Sequence, residues 1–483
     1  MAIEIERRFL LLPMNVEEVL NEQDLLFKKI KIEQFYVSSS EDAVERYRHS
    51  GSRFVHTKKV GFGMMREEFE SEVSEEVYLK QKEKNQNKNL IKKIRYLAHC
   101  EDNILEIDVF EGALKGLVIL EVEFYSKDDS KKFTLPRFLR DFFVKEITLH
   151  REFTNGYLSK IMRIPSLSYD LKEATKKIDE AKDELYEYSR IKLPPYQSIG
   201  DSIKILSYML AIVMEKRVFA LLEEPKSNLN RIKQLKISIY KLFIYLDEFE
   251  ITFKKGWRQK RLKALESLID SFELRNKTNI CLDKFYIFEE LSDNKNLLKD
   301  IKDELISINN RSLREVLRVL RKKKVQKLLK HLKHVKSNKD EAKTPSVIFL
   351  NTLINNKISE LLNIIHTIDD DIIDDEMVLY IRDKIKSLKF IFYDFANATP
   401  RVVNHDILDT LDNLERDFES VAEFSIQIQY LKFFRENLQD IDIKALDILI
   451  SRVQEEKIEQ KLIAITLLKA LEETLQETQK RIP

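Results

Sequence analysis

The most constraining feature of this sequence is a pair of charged or polar residues at positions i and i+2 that recurs in short alternating segments. The opening segment, MAIEIERRFL, places Glu4, Glu6 and Arg8 on one side of a strand, because side chains alternate with period two. The later segments carry Arg46 with Arg48, Thr57 with Lys59, Glu68 with Glu70, Lys93 with Arg95, Glu106 with Asp108, and Glu121 with Glu123. This pattern predicts mainly antiparallel β-structure up to about residue 165.

Two arrangements would accommodate these charges. In an ordinary sheet they would form a solvated face, although solvated faces usually mix Ser, Thr, Gln and single charges. In a closed barrel they would point inward, and cations would have to lie between the carboxylates because like charges repel. Acidic pairs could then hold divalent metals and basic pairs could bind phosphate oxygens, with the aliphatic faces pointing outward. The recurrence of the pattern favours the barrel.

Length and composition limit the classes of protein. A chain of 483 residues predicts two domains, and 43% hydrophobic residues exclude global disorder. The formal net charge of +1 gives no global signature for a polyanion or for specific nucleic acid, so any such site must be local. Cys100 and Cys281 have no Cys or His neighbours at metal-ligand spacing and read as reduced thiols.

The sequence also predicts a cytoplasmic location. Charged residues occupy positions 4 to 8, where a signal peptide needs its apolar region, and no apolar run is long enough to span a membrane. The oligomeric state does not follow from the sequence.

The periodicity changes along the chain. Helices are predicted near Val16 to Lys29 and Pro136 to Asp141. After about residue 200 Gly and Pro almost vanish, and leucines at helical spacing predict an α-helical bundle. We therefore expect an α+β chain with a β domain over 1–165, a helical linker over 166–196 ending in Leu193-Pro194-Pro195, and a helical domain over 197–483.

The charged pairs resemble the CYTH superfamily, the triphosphate tunnel metalloenzymes. The segment from Glu4 to Arg8 resembles the family's ExExK signature, with Arg8 in place of lysine. The RxR, TxK, ExE, KxR, ExD and ExE pairs given above follow in the family's order, and Glu146-Ile147-Thr148 resembles its closing motif. The resemblance covers about residues 1 to 160.

This resemblance implies an eight-stranded antiparallel tunnel that accepts a triphosphate and requires Mg²⁺ or Mn²⁺. It implies metal ligands at Glu4, Glu6, Glu121 and Glu123. It implies phosphate binding by Arg8, Arg46, Arg48, Lys59, Lys93 and Arg95. It also assigns catalytic roles, as further ligands or in positioning water, to Glu4, Glu6, Glu68, Glu70, Glu106 and Asp108.

The expected activity is hydrolysis of a triphosphate, with inorganic triphosphate favoured over thiamine triphosphate. Two alternatives stay open: a protein that binds triphosphate or polyphosphate without turnover, and a class IV adenylyl cyclase. The many carboxylates favour an enzyme, because anion binding alone would gain nothing from them.

The helical half resembles CHAD domains, helical bundles that bind polyphosphate. Two segments, starting at Lys233 and Leu379, are similar to the paired helices of that family but lack its histidines. The basic positions that could still bind a polyanion are Lys236, Lys241, Arg382, Lys386 and Lys389. A scaffold role with solvated lysines is the alternative.

The most basic stretch, from Arg314 to Lys336, has leucines at helical spacing. It could bind polyphosphate, nucleic acid or an acidic membrane surface. The alternative, which we favour, is an amphipathic bundle helix with a basic outer face, since no aromatic stacking residues are interleaved.

Overall fold

Alternating residues in the N-terminal half form strands, and leucine-periodic residues in the C-terminal half form helices. The computed structural model describes residues 2–39, 43–60, 65–85, 89–186, 188–223, 229–338, 340–368, 373–399, 405–438 and 442–482. Within these ranges the side chains at 2–4, 39, 43–44, 59, 65–68, 229–230 and 405 are outside the description.

The chain divides into two compact units. One, the barrel unit, comprises Met1–Leu167, Thr344–Asn351 and Arg481–Pro483. The other, the helical unit, comprises Ser168–Lys343 and Thr352–Lys480. The linker predicted over 166–196 contains a helix, α5 (Leu171–Glu180), and its assignment as a linker stays a prediction.

Nine antiparallel strands build the barrel unit. They are β1 (Ala2–Leu11), β2 (Phe27–Ser39), β3 (Ala43–Ser50), β4 (Arg53–Val60), β5 (Met65–Glu72), β6 (Ile91–Cys100), β7 (Asn103–Phe110), β8 (Val118–Phe124) and β9 (Phe143–Glu146). Their order is β5-β4-β3-β2-β6-β7-β8-β1-β9, with an additional pairing of β5 to β1. That pairing closes eight strands into a ring, as the resemblance implied, and β9 is a ninth strand beyond it.

Strand β1 closes the barrel because it is shared among three neighbours. Along one edge it pairs with β8 from Ile5 to Leu11. Along the other edge its first residues pair with β5 and its last residues, Phe9 to Leu11, pair with β9. A closed ring leaves no unpaired strand edge and gives the strands an inner and an outer face.

Apolar side chains cover much of the outer face, which carries four short helices: α1 (Val16–Asn21), α2 (Glu75–Lys84), α3 (Lys127–Lys132) and α4 (Asn155–Ile161). Tyr78 of α2 packs on Phe35 and Tyr47, which alternate with inward-facing residues of β2 and β3. Leu105 and Ile107 of β7 are fully buried on the same outer side. The charged face is therefore the inner face, as the sequence predicted.

Two predicted helices differ from the structure. The helix expected over Val16 to Lys29 ends at Asn21, and the chain enters β2 at Phe27. Asp24 has a positive φ of 52°, in a left-handed conformation that cannot continue an α-helix. The segment expected from Pro136 to Asp141 is a 3₁₀ helix, Arg137–Phe142.

The remaining described helices form a bundle. After α5 come α6 (Ile199–Glu223), α7 (Leu229–Glu248), α8 (Lys255–Asp283), α9 (Phe285–Leu291), α10 (Lys295–Leu320), α11 (Lys323–Leu332), α12 (Ser346–Thr367), α13 (Asp375–Phe395), α14 (His405–Asn437), α15 (Ile443–Ala470) and α16 (Glu472–Lys480). Helices α8, α9, α10, α14 and α15 share a continuous apolar core that includes Leu305, Leu431 and Leu449. Among the described residues, no helix is long and apolar enough to cross a membrane.

Candidate active site

An ion cluster occupies the barrel interior along β6, β7 and β8. Arg95 is its centre: Nε donates to Asp108 Oδ1 at 2.7 Å, and Nη2 donates to Asp108 Oδ2 and Glu121 Oε2, each at 2.6 Å. Arg95 Nη1 also donates to Glu106, and Lys93 donates to Asp108. Lys93 and Asp108 are almost completely buried, at 0% and 1% exposed side chain.

Strand register produces this cluster. Arg95 lies directly opposite Asp108 on β7, and Glu106 lies opposite Glu121 on β8. The two glutamates would repel each other across the strands, and Arg95 lies between them and binds both. The sequence pattern placed all five of these residues on the inner face, and the structure brings them together.

The protonation behaviour of the cluster follows its burial. Burial lowers the pKa of Lys93 to about 8, against the attraction of Asp108. Burial also raises the pKa of Glu106, with Arg95 opposing the shift and Glu121 and Asp108 adding to it. Burial by itself would lower the pKa of Arg95, yet the three neighbouring carboxylates hold that pKa above its ordinary value. Two cations and three carboxylates of the chain therefore attract one another inside the barrel.

Arg48 differs from Arg95 because its described hydrogen bond goes to a neutral group. Its Nε donates to Gln34 Oε1 at 3.3 Å. Burial, followed by repulsion from Arg46 and Arg95, lowers the pKa of Arg48 to about 10. The guanidinium remains charged at neutral pH; Arg46 and Arg95 repel it, and Asp108 attracts it more weakly. An anion entering the barrel would relieve this repulsion.

Gln34 and Tyr36 are interior residues that the sequence patterns did not indicate. Gln34 is fully buried and donates through Nε2 to the Tyr36 hydroxyl at 3.0 Å. The two residues lie opposite Arg48 and Arg46 in the β2–β3 register. The available signal was weak: a neutral polar pair at i and i+2 in the strand before the RxR pair.

Arg8 is buried and its guanidinium donates to main-chain carbonyls. Nη2 donates to the Thr148 carbonyl at 3.2 Å and Nη1 to the Phe153 carbonyl at 3.4 Å. Its Nε lies 3.5 Å from Glu6 Oε1. The planar fork of arginine suits several carbonyls at once, which the single ammonium of lysine would not. Arg8 thus fixes the segment after β9 in addition to its predicted contact with phosphate.

Glu6 and Glu123 are two neighbouring carboxylates of the predicted metal site. They lie opposite each other in the β1–β8 register; Glu6 is buried, whereas Glu123 is exposed. Carboxylate oxygens are the donors that Mg²⁺ and Mn²⁺ prefer, so the chemistry of this pair fits the implied metal. Among the described side chains, no group of three or more His, Cys, Asp or Glu residues is arranged as a metal site.

Three predicted residues, Glu4, Lys59 and Glu68, have side chains outside the described part of the chain. Glu4 faces Arg66 in the β1–β5 register, and Lys59 faces Glu68 in the β4–β5 register. Thr57 is fully buried and donates to Glu70 at 3.3 Å. Threonine therefore orients a carboxylate here.

The closing motif acts on the outer face. Glu146 accepts from Arg7 Nε at 3.0 Å and from Nη2 at 2.8 Å, and from the Thr148 hydroxyl at 2.9 Å. This paired contact stabilises β9 against β1, a role for Arg7 that the sequence patterns did not reveal.

The basic positions predicted for a polyanion are all described in the helical unit. Lys241 is fully buried and binds both oxygens of Asp394, at 2.8 and 2.7 Å. Arg382, Lys386 and Lys389 of α13 pair with carboxylates of α14. Burial lowers the pKa of Lys236, and Glu273 and Glu419 attract it.

The basic stretch from Arg314 to Lys336 is not one helix. It spans the end of α10 and all of α11, with a turn at Arg321. The buried side of α11 consists of Val325, Leu328, Leu329 and Leu332. The basic residues therefore form an outer face, as in an amphipathic bundle helix.

No family model matches the chain. It is 28% identical over 158 residues to an inorganic triphosphatase of Nitrosomonas europaea, an alignment that covers 32% of this chain and 96% of that protein. A crystal structure of an inorganic triphosphatase matches 34% of this chain and 99% of its own, at 26% identity and a TM-score of 0.26. The CHAD domain from the plant Ricinus communis matches 58% of this chain and 96% of its own, at 10% identity and a TM-score of 0.48.

The alignment spans almost all of the sequence relative, and its 158 residues are close in number to the segment Met1–Leu167 that contains the closed ring. The structural likenesses, at these TM-scores, support no conclusion about activity or ligand. Over about a third of its length the chain is therefore similar to an inorganic triphosphatase, which agrees with the resemblance to the CYTH superfamily drawn from the charged pairs.

Proposed function

We propose that the barrel binds the triphosphate group of its substrate and hydrolyses a phosphoanhydride bond, with inorganic triphosphate as the preferred substrate. The observation that carries this proposal is Arg48, a cation inside the barrel whose described hydrogen bond is to neutral Gln34 and which Arg46 and Arg95 repel. An ordinary structural arginine would be matched by a carboxylate, as Arg95 is. The relationship to an inorganic triphosphatase supports the choice of substrate.

The interior residues of the barrel suit phosphoryl transfer because this reaction needs positioning and charge neutralisation more than covalent chemistry. Arg46 and Arg48 would bind and orient the phosphate oxygens, and Gln34 would hold the Arg48 fork. Lys93 and Arg95 would act chiefly by fixing the carboxylates of β7 and β8.

We further propose Mg²⁺ or Mn²⁺ as cofactor, held by Glu4, Glu6, Glu121 and Glu123. When bound, the ion would supply positive charge to the phosphate oxygens and lower the pKa of an attacking water. Binding of the ion would compete with cations of the chain, since Arg95 binds Glu121 and Arg8 lies near Glu6.

The proposal is tested by measuring phosphate release from inorganic triphosphate, ATP, thiamine triphosphate and long-chain polyphosphate, with Mg²⁺ and with Mn²⁺. We expect release from triphosphate to be fastest and to stop when the metal is chelated. Binding without release would favour a non-catalytic binding protein, and cyclic AMP formed from ATP would favour a cyclase.

Removing carboxylate charge should stop turnover. Glu6→Gln and Glu121→Gln are each expected to lower phosphate release by about 100-fold or more, because both remove a proposed metal ligand at constant shape. Glu101→Gln, at an exposed turn position, is the matched control and should retain activity. Unchanged turnover in both interior variants would contradict the proposed mechanism.

Placing a negative charge beside Arg48 should weaken substrate binding. In Gln34→Glu the new carboxylate would pair with Arg48, and we expect affinity for a non-hydrolysable triphosphate analogue to fall about tenfold or more. The measurement is isothermal titration calorimetry, with Gln23→Glu, at an exposed turn position, as the control of equal charge change. If both variants bind like the wild type, Arg48 does not contact the ligand.

A further inference from the structure

A row of carboxylates on α14 faces the basic row that the sequence singled out on α13. The basic row is Arg382, Lys386 and Lys389, spaced i, i+4 and i+7. The acidic row is Asp412, Glu415 and Glu419, spaced i, i+3 and i+7, a spacing that also places three side chains on one side of a helix.

The two rows make five ion pairs. Arg382 lies 3.3 Å from Glu419; Lys386 lies 3.2 Å from Glu415 and 3.8 Å from Glu419; Lys389 lies 2.8 Å from Asp412 and also contacts Glu415. Three cations thus face three carboxylates, and each cation has at least one carboxylate partner.

These pairs are not casual surface contacts. The side chains of Lys386 and Glu415 are each only 14% exposed, and that of Lys389 is 9% exposed. Burial alone would lower the pKa of Lys389, but Glu415 and Asp412 raise it above its ordinary value. The carboxylates therefore stabilise the charged form of lysines that are largely removed from water.

We infer that the acidic row of α14 neutralises the basic row of α13, so that α13 does not take up polyphosphate as the chain stands. The row closes a latent anion site, which neutralising Glu415 and Glu419 would open.

The physical reason lies in the counterions. A polyanion binds a basic surface largely because small ions are released from the polyanion and replaced by protein cations. Here the cations are already matched by carboxylates that belong to the chain. A bound polyphosphate would have to separate five ion pairs and would lie beside three negative charges.

The other two predicted positions reinforce this inference. Lys241 is fully buried and forms an ion pair with Asp394, which also accepts a hydrogen bond from the Tyr245 hydroxyl. Lys236 is attracted by Glu419 of the same acidic row, although burial lowers its pKa. Among the described residues, neither Lys241 nor Lys236 therefore adds a cation without a nearby carboxylate to the α13 surface.

The experiment compares three full-length proteins: the wild type, Glu415→Gln/Glu419→Gln, and Glu455→Gln/Glu456→Gln. The last pair lies exposed on α15 and changes the charge by the same amount, so it controls for net charge. Binding of fluorescent long-chain polyphosphate is measured at physiological ionic strength. A saturating non-hydrolysable triphosphate analogue is present, so that the barrel site of the proposed function does not contribute.

We expect the Glu415/Glu419 variant to bind polyphosphate about tenfold or more tightly than the wild type and the α15 control. Adding Lys386→Ala and Lys389→Ala to that variant should abolish the gain. Polyphosphate should also raise the melting temperature of the Glu415/Glu419 variant and leave that of the wild type unchanged, because a ligand stabilises the state that binds it.

Two results would overturn the inference. The first is wild-type binding as tight as that of the Glu415/Glu419 variant, which would mean that polyphosphate displaces the acidic row. The second is a folded variant without any gain in binding, which would mean that α13 carries no latent site. If the double variant does not fold, Glu419→Gln alone, at the more exposed carboxylate, provides the same comparison.

Discussion

Asp108→Ala is expected to lower the stability of the barrel unit by about 3–5 kcal/mol, because it leaves buried Lys93 without its carboxylate and removes two of the hydrogen bonds of Arg95. The large expected cost comes from the charges left behind: an ion pair deep in a protein contributes little by itself, but one unpaired buried charge is strongly destabilising.

Amide hydrogen exchange, read separately over β6, β7 and β8, is the suitable measurement. The chain has two compact units and a single tryptophan, Trp257, which lies in the helical unit, so tryptophan fluorescence would not report on the barrel. Protection of these strands should fall sharply in Asp108→Ala. The control is Asp102→Ala, at an exposed turn position between β6 and β7, which should change stability by no more than about 0.5 kcal/mol. Equal protection in both variants would show that Asp108 does not hold the cluster together.

Arg48→Gln is expected to have the opposite signature: a loss of function without a loss of stability. We expect kcat/KM for triphosphate hydrolysis to fall by about 100-fold or more, since a cation that would stabilise the transferring phosphate is removed. The melting temperature should stay constant or rise, because burial and the repulsion from Arg46 and Arg95 both disfavour the Arg48 charge in the free protein.

Two comparisons make this result decisive. Arg53→Gln, on the exposed surface of β4, should change neither activity nor stability, since the Arg53 side chain is 66% exposed and pairs with Glu72. Arg95→Gln should lower stability, because it removes the cation that pairs with three interior carboxylates. A large loss of stability in Arg48→Gln would show that this arginine is structural and would remove the main support for a phosphate site.

Asp108→Ala and Arg48→Gln together test whether the interior cations have different roles. From sequence alone Lys93, Arg95, Arg46 and Arg48 all read as phosphate ligands, because each belongs to a basic i, i+2 pair. In the free protein Lys93 and Arg95 pair with carboxylates of the chain, whereas the described hydrogen bond of Arg48 goes to neutral Gln34. This difference depends on which strand lies beside which: Arg95 faces Asp108, whereas Arg48 faces Gln34.

In the helical unit, too, the sequence shows which cations share a face but not which carboxylates lie opposite them. The stripe of Arg382, Lys386 and Lys389 can be read from helical spacing, because that spacing depends only on residues of one helix. The acidic row that neutralises it begins 23 residues after Lys389, on α14, and no local pattern shows that α13 and α14 place these rows face to face.

The sequence by itself determined the strand alternation, the inward direction of the charged face and the change from a mainly β region, ending near residue 165, to a helical region. These properties depend on local periodicity and on the need to bury the aliphatic face. Only the tertiary structure decided the ring closure through β5 and β1, the end of α1 at Asn21, and the partner of each interior charge. Those outcomes depend on register and on contacts between residues far apart in the chain, and electrostatic energies change steeply over the few ångströms that register controls.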